Sequence, residues 1–249
     1  MYYEVSGSGE PIMFIHGLGS SAEDWKIQTE FFSRHFKVIS YDVRGHGKTD
    51  SSDYQYSIPL FAEDCAALLK HLEVDSAHIV GLSLGGIIAF QLVISHPHLV
   101  KSMGIVNSLP EVNLNTLKTR IRIYGRLLLV RFFGLRITGK VLSKKLFPHP
   151  EMAWMRKDFI EKWARNDKIA YLYSVKAMIG WSVADKLHEI SCPVLFITSE
   201  FDYTSVAAKE HYAQKINNAQ LAVIKDARHA VTFEKAQEFN TTLYEFLQN

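Results

Sequence analysis

The chain has 249 residues and a mass of 28.4 kDa, enough for one large domain. Hydrophobic residues make up 47% of it and charged residues 22%, proportions typical of a globular protein that exclude a disordered or fibrous class. Two cysteines are too few for a disulfide framework or a zinc site.

Two stretches bear on the compartment. Residues 1–10 contain no basic segment followed by an apolar core, so no signal peptide is predicted. Residues 76–100 contain no Asp, Glu, Lys or Arg, but Gly81, Gln91 and Pro97 within them are typical of a buried strand and helix. We therefore expect a cytoplasmic protein with no transmembrane segment.

Short apolar segments predict a series of β-strands, which cover residues 1–5, 12–15, 36–41, 77–81, 100–106, 193–197 and 221–224. Helical patterns separate most of them, at about residues 20–35, 57–72, 84–95, 205–216 and 233–247. Strands that alternate with helices predict an α/β fold with a mostly parallel, doubly wound sheet. Sites in such sheets form at the carboxyl ends of the strands.

One segment departs from this alternation. Residues 114–180 show no strand pattern but four amphipathic helical stretches, at about 114–133, 136–146, 150–166 and 168–180. We interpret residues 110–186 as an all-helical cap inserted into a core formed by residues 1–109 and 187–249.

Charge divides along the same boundary. Residues 110–186 hold 16 Lys and Arg against 6 Asp and Glu, whereas the remainder holds 12 against 20. The overall net charge of +2 thus conceals a basic cap and an acidic core.

The junction between a predicted strand and helix carries the sequence Gly-x-Ser-x-Gly at residues 81–85. A turn this tight holds Ser83 in a strained conformation, and a side chain at Gly81 or Gly85 would collide with a neighbouring element. The Ser83 hydroxyl then stands at the sheet edge beside a helix N-terminus, where a nucleophile is well placed. The alternative is a Gly- and Ser-rich turn that only packs closely or binds a phosphate.

Further motifs follow the other strands. His-Gly-Leu-Gly occupies residues 16–19 and Asp-x-Arg-Gly-His-Gly residues 42–47, while Asp202 and His229 follow the last two predicted strands. With these residues the chain resembles the α/β-hydrolase family, in its small capped serine-esterase branch, over essentially its whole length. It is similar to carboxylesterases and to pimeloyl-acyl-carrier-protein methyl ester esterases. The family's chain order of nucleophile, acid and histidine is met by Ser83, Asp202 and His229.

The resemblance implies a role for each of these residues. His229 would take the serine proton and return it to the leaving group, and Asp202 would orient the histidine. Glu200 and Asp226 are rival acids, close in sequence to Asp202 and His229. Arg228 departs from the small residue that usually precedes this histidine.

The resemblance also implies an oxyanion hole built from backbone N–H groups of Leu18 and Leu84. Four further polar residues of the shared motifs are expected to be structural: His16, Asp42, Arg44 and His46.

Basic residues recur through the cap, and five of them are candidates for docking an acidic partner such as acyl carrier protein: Arg120, Arg122, Arg126, Arg131 and Arg156. A solvated basic face is the alternative, and an anionic membrane is a further possible partner. Nucleic acid is not expected, because no binding motif is present and the core is acidic.

A serine nucleophile implies acyl transfer to water through an acyl-enzyme, with neither cofactor nor metal. It excludes relatives that use an aspartate nucleophile. Apolar cap residues point to an apolar acyl group. The expected function is therefore cleavage of a carboxylic ester of such a group. A carrier-linked methyl ester, as in biotin synthesis, is one candidate substrate. A carbon–carbon bond hydrolase, an enol-lactonase and a hydrolase-like ligand sensor remain alternatives, since they share these residues.

Overall fold

The computed structural model describes residues 1–50 and 56–248. Its sheet has seven strands in the order β1-β3-β2-β4-β5-β6-β7. Only β1 is antiparallel to its neighbour. The strands are β1 (Tyr3–Ser6), β2 (Glu10–Ile15), β3 (Phe36–Tyr41), β4 (Ala77–Leu82), β5 (Val100–Val106), β6 (Val194–Ser199) and β7 (Ala219–Ile224).

Helices cover both faces of this sheet, as the doubly wound prediction requires. The described helices of the core are α1 (Lys26–Phe32), α2 (Ile58–His71), α3 (Leu84–Ser95), α7 (Val206–Ala213), α8 (Val231–Glu234) and α9 (Ala236–Leu247). Apolar side chains of α2 and α3 belong to one buried cluster, and those of α1 and α9 belong to another. The sheet separates the two clusters, and the strands β4, β5 and β6 contribute residues to both. The predicted fold class is confirmed.

Local sequence explains where these helices begin. The Ser57 hydroxyl accepts a hydrogen bond from the Leu60 amide, and Pro59 occupies a first-turn position of α2, where its missing N–H costs nothing. The prediction of one helix over residues 20–35 is wrong in extent: a 3₁₀ turn, Ala22–Trp25, precedes the short α1. The Asp42 carboxylate accepts from the Ala22 amide at 2.7 Å and so holds this turn through a contact distant in sequence.

Three helices lie between β5 and β6, in the segment predicted to be a cap: α4 (Leu117–Leu146), α5 (Ala153–Arg165) and α6 (Lys168–Met178). Gly134, with φ +75° and ψ 176°, interrupts α4 and divides it into two helical stretches. The sequence pattern had predicted a break between residues 133 and 136, in agreement. Within the described ranges, no helix combines the length and the apolar character needed to cross a bilayer.

In the turn at Ser83, backbone atoms approach one another so closely that no side chain fits at Gly81 or Gly85. A Cβ atom at Gly85 would overlap the carbonyl oxygen of Ile15 in β2, and one at Gly81 would overlap the carbonyl oxygen of Gly85. The start of α3 therefore lies directly against the end of β2. This confirms that the two glycines are required by close approach.

We predict that Gly85→Ala lowers the free energy of unfolding by about 2–3 kcal/mol, because the added methyl must displace a backbone carbonyl. Gly125→Ala is the matched control in α4, since no atom lies within 4 Å of a Cβ there. Alanine at that helical position should raise stability by about 0.5–1 kcal/mol. Urea unfolding measures both changes, and equal effects of the two would contradict the packing argument.

Candidate active site

Ser83 lies between the end of β4 and the first residue of α3. Its backbone has φ +55° and ψ −110°, a conformation that non-glycine residues rarely adopt. Its amide donates to the carbonyl of Val106 at 2.9 Å, and its carbonyl accepts from the Ser108 hydroxyl at 2.7 Å. The predicted strain is present, and the end of β5 holds the strained residue in place.

His229 and Asp202 meet at the same edge of the sheet. His229 follows β7 and Asp202 follows β6, and the Nδ1 atom of the histidine donates to Oδ1 of the aspartate at 2.5 Å. The ring of Tyr203 lies on the imidazole, with centroids 4.4 Å apart. Of the rival acids, Glu200 is occupied with the backbone amide of Asp226 at 3.0 Å. Asp202 is the acid that the structure brings to the histidine.

The second oxygen of Asp202 binds a residue that the sequence analysis did not single out. Lys209, on α7, donates from Nζ to Oδ2 at 2.5 Å, and both side chains are only 1% exposed. The Thr204 hydroxyl donates to the same oxygen at 2.8 Å. Burial alone would raise the pKa of the Asp202 carboxyl, but the facing His229 and Lys209 hold that pKa below its usual value.

Asn107, directly after β5, fixes the backbone of the histidine loop. It has φ +46°, and its Nδ2 atom donates to the carbonyls of Arg228 and His229 at 3.3 and 3.1 Å. Its Oδ1 atom accepts from the Ser199 amide at 2.8 Å. Asn107 thus connects the loops that carry Asp202 and His229. The sequence offered one signal for this connecting role: Asn107 follows a strand directly, and the site was predicted at strand ends.

The loop after β2 runs alongside Ser83. A Cβ atom at Gly17 would lie 3.6 Å from the Cβ of Ser83, which places the adjacent Leu18 beside the serine. Buried His16 supports this loop: its Nε2 accepts from the Val43 amide at 2.9 Å and its Nδ1 donates to the Gly17 carbonyl at 2.8 Å. Burial lowers the pKa of His16 to about 4, so it is neutral. Its structural role is confirmed, whereas the Leu18 and Leu84 amides as an oxyanion hole stay a prediction.

Two cavities meet at Ser83, and both are lined by Leu18, Ser83, Arg126, Tyr203 and His229. The first, which we call the apolar cavity, has a volume of about 110 Å³. It is lined largely by apolar side chains of the cap, namely Leu142, Leu146, Phe147, Met155, Phe159 and Trp163. The second, the polar cavity, has about 210 Å³ and includes Asp202, Arg122, Asn113 and Thr119.

The five arginines predicted to dock a partner have different positions. Arg122 and Arg126 lie at the polar cavity, and Arg122 contacts the carbonyl of Tyr203 at 3.4 Å. The Arg120 guanidinium donates to the Leu114 carbonyl, and that of Arg156 donates to two carbonyls after α4. Arg131 is exposed. The five arginines thus have different surroundings, and docking of an acidic carrier protein stays a prediction.

Among residues 1–50 and 56–248, no group of three or more His, Cys, Asp or Glu side chains could hold a metal ion. The polar groups near Ser83 include the imidazole of His229, the carboxylate of Asp202 and the guanidinium groups of Arg122 and Arg126. Such a set can support proton transfer and attack by a hydroxyl on a carbonyl.

Residues 10–134 match the family model of the alpha/beta hydrolase fold. The chain belongs to the α/β-hydrolase family, and it is a hydrolase. The enol-lactonase of Burkholderia xenovorans has the same fold, with a TM-score of 0.92 and 23% identity over 100% of this chain and 96% of that protein.

Two curated relatives are similar in sequence over most of both chains. The (E)-2-((N-methylformamido)methylene)succinate hydrolase of Acinetobacter baylyi is 26% identical over 99% of this chain and 94% of its own. The 3-oxoadipate enol-lactonase 2 of the same organism is 28% identical over 92% of this chain and 85% of its own. These proteins are hydrolases named for different substrates, so similarity to them does not choose a substrate for this chain.

We predict that Lys209→Met moves the acid limb of the pH profile of hydrolysis to higher pH, on the order of one unit. Without the ammonium, the charge of the Asp202 carboxylate is no longer partly neutralised, so the site retains its proton to a higher pH. The measurement is kcat/KM for 4-nitrophenyl acetate against pH.

Lys225→Met, a change of an exposed lysine after β7, is the matched control and should leave the limb in place. An unmoved limb in Lys209→Met would mean that Lys209 serves packing alone.

Proposed function

We propose that this protein hydrolyses carboxylic esters through an acyl-enzyme on Ser83, with His229 as general base and acid and Asp202 as its partner. The observation that carries the proposal is the 2.5 Å contact between His229 Nδ1 and Asp202 Oδ1 beside the cavity that Ser83 lines. Because the carboxylate occupies Nδ1 as acceptor, Nε2 is the nitrogen left to accept the serine proton.

The reaction then proceeds in two half-reactions. His229 removes the hydroxyl proton as Ser83 attacks the ester carbonyl, and the oxyanion forms beside the amides of Leu18 and Leu84. His229 next donates the proton to the leaving alcohol, which departs and leaves the acyl-enzyme. Water attacks that ester by the same route and releases the acid.

The two cavities support a division of the substrate. The apolar cavity, with about 110 Å³ among Leu, Phe, Met and Trp side chains, suits a short apolar group. The polar cavity is open to the other part of the ester, and both parts meet at Ser83, where the scissile bond must lie.

The test is hydrolysis of 4-nitrophenyl acetate, butyrate and octanoate by the wild type and by Ser83→Ala. We expect the wild type to prefer the shorter esters, and Ser83→Ala to lose about 10⁵-fold or more in kcat. Ser20→Ala, which removes another hydroxyl at the apolar cavity, is the matched control and should stay within threefold of the wild type.

Undiminished activity in Ser83→Ala would overturn the assignment of the nucleophile. A wild type that hydrolyses none of the three esters would favour the carbon–carbon hydrolase or the ligand sensor instead.

A second candidate is an ester or enol-lactone that bears a carboxylate. Arg122 and Arg126 lie one turn apart on α4. Partial desolvation at the polar cavity and the charge of Arg126 lower the pKa of Arg122, while Asp202 opposes that shift. Neither forms an ion pair with a carboxylate among residues 1–50 and 56–248. Glu111 and Asp202 also line the polar cavity, but both carboxylates accept hydrogen bonds from other side chains. Two adjacent guanidinium groups that form no ion pair are a suitable receptor for a substrate carboxylate. The names of the two Acinetobacter relatives, a hydrolase of a substituted succinate and a 3-oxoadipate enol-lactonase, support this class.

We predict that Arg126→Gln lowers kcat/KM for mono-4-nitrophenyl adipate about 10–100-fold, since a charge-assisted hydrogen bond is lost. The neutral hexanoate ester, with the same chain length, should change less than twofold. Arg131→Gln, an exposed arginine of the same helix, is the control. Equal losses on both esters would show that Arg126 recognises no carboxylate.

A further inference from the structure

The outward face of the first stretch of α4 is apolar. Five side chains on it, which we call the outer stripe, are between 47% and 73% exposed: Leu117, Ile121, Tyr124, Leu128 and Phe132. They recur at intervals of three and four residues, so they fall within an arc of about 80° of the helix. A solvent-facing helical surface is ordinarily polar.

The opposite side of the same stretch already provides the packing that the cap needs. Val130 is fully buried, and Ile123 and Leu127 are partly buried against the main core cluster. Arg122 and Arg126 also lie on this inner side, at the polar cavity. The outer stripe is therefore not needed to hold α4 on the molecule, and a contiguous exposed apolar surface of this kind marks an interaction site.

The charge of α4 indicates which kind of partner suits the outer stripe. α4 contains nine Lys and Arg and no Asp or Glu. Arg120 and Arg131 flank one side of the outer stripe, and both are exposed. Beyond Gly134, α4 again exposes both apolar and basic side chains. The apolar residues are Ile137 and Val141, and the basic ones are Arg136, Lys140, Lys144 and Lys145. In the described part of the chain, none of these cations forms an ion pair.

A second copy of the chain fits this surface poorly. Two-fold association through the outer stripe would place two helices of nine positive charges each against one another, with no acidic residue on either to compensate. An anionic lipid surface compensates the cations and also accepts the apolar side chains, which a purely polar acidic partner would leave in water.

We propose that α4 binds the surface of an anionic membrane, with the outer stripe inserted at the boundary between headgroups and acyl chains. Leu, Ile and Phe side chains enter the apolar layer, Tyr124 lies at the headgroup level, and the flanking Arg and Lys bind lipid phosphates. The proposal rests on the surface alone and holds whichever bond the protein hydrolyses.

This orientation has a consequence for the active site. Arg126 lies on the inner side of α4 and lines both cavities, whereas the outer side of α4 contacts lipid in this orientation. The cavities thus lie about one helix diameter, on the order of 10 Å, from the membrane surface. Substrates that partition into the membrane would be concentrated beside them.

The test is flotation of the full chain with large unilamellar vesicles of phosphatidylcholine alone, or of phosphatidylcholine and phosphatidylglycerol at 7:3. We expect a partition coefficient at least tenfold higher with phosphatidylglycerol, and a loss of most of that difference in 0.5 M NaCl.

Two sets of variants separate the apolar and the ionic contributions. The double variant Leu128→Gln/Phe132→Gln should lower partition at least tenfold, and Arg120→Gln/Arg131→Gln should remove most of the phosphatidylglycerol preference. Ile27→Gln, at an exposed apolar residue of α1, is the control and should bind as the wild type does. None of these residues lines either cavity, so hydrolysis of a water-soluble ester should be unchanged and reports that each variant is folded.

Three results would overturn the proposal. Partition that is equal on both vesicles, or unaffected by Leu128→Gln/Phe132→Gln, would show that the outer stripe does not bind anionic lipid. A wild-type dimer that this double variant dissociates, measured by light scattering, would assign the stripe to a second copy. Binding of acyl carrier protein that the double variant abolishes, without vesicle binding, would assign it to the carrier.

Discussion

The close approach of α3 to β2 is the constraint on which the site depends. The chain reverses from strand to helix at Ser83 within a few residues, and the start of the helix lies directly against the Ile15 carbonyl. Glycine at 85 makes that approach possible, and the resulting φ of +55° at Ser83 is held by hydrogen bonds to the end of β5. The strained backbone of Ser83 is thus stabilised by contacts among β2, β4 and β5. This conformation leaves the Ser83 hydroxyl at the carboxyl ends of the strands.

A second feature is the shared carboxylate of Asp202. One of its oxygens accepts from His229, and the other accepts from Lys209 and Thr204. A buried carboxylate needs this many donors, because water does not reach it. Through Asp202, the arrangement also connects Lys209 on α7 to His229. The electrostatic environment of His229 therefore depends partly on that lysine. Lys209 is itself buried, and that burial lowers the pKa of its ammonium while the aspartate opposes the shift.

The cap helix α4 has two sides with different surroundings. Its inner side packs on the core and presents two arginines to the polar cavity, and its outer side presents apolar side chains to solvent. The cations of the basic segment that stands out in the sequence therefore lie in different surroundings. Arg122 and Arg126 line the polar cavity, and Arg120 and Arg131 flank the outer stripe.

Much of the fold could be predicted from the sequence, because the relevant signals are local. The alternation of short apolar runs with helical patterns predicted the parallel sheet, and the bounds of α3 (Leu84–Ser95) and β5 (Val100–Val106) agree with the prediction. The break in α4 was also predicted, between residues 133 and 136, and the structure places it at Gly134. Residue type and spacing, with a family resemblance, were enough to select Ser83, Asp202 and His229.

The tertiary structure alone decided the contacts between segments that are distant in the chain. Lys209 resembles any surface lysine of a short helix, and only the packing of α7 on β6 buries it against Asp202. Asn107 reaches the histidine loop across more than a hundred positions. The division of the arginines between the inner and outer sides of α4 likewise depends on how that helix lies on the core. Local patterns determine which element a residue joins, whereas burial and charge environment depend on what the folded chain places beside it.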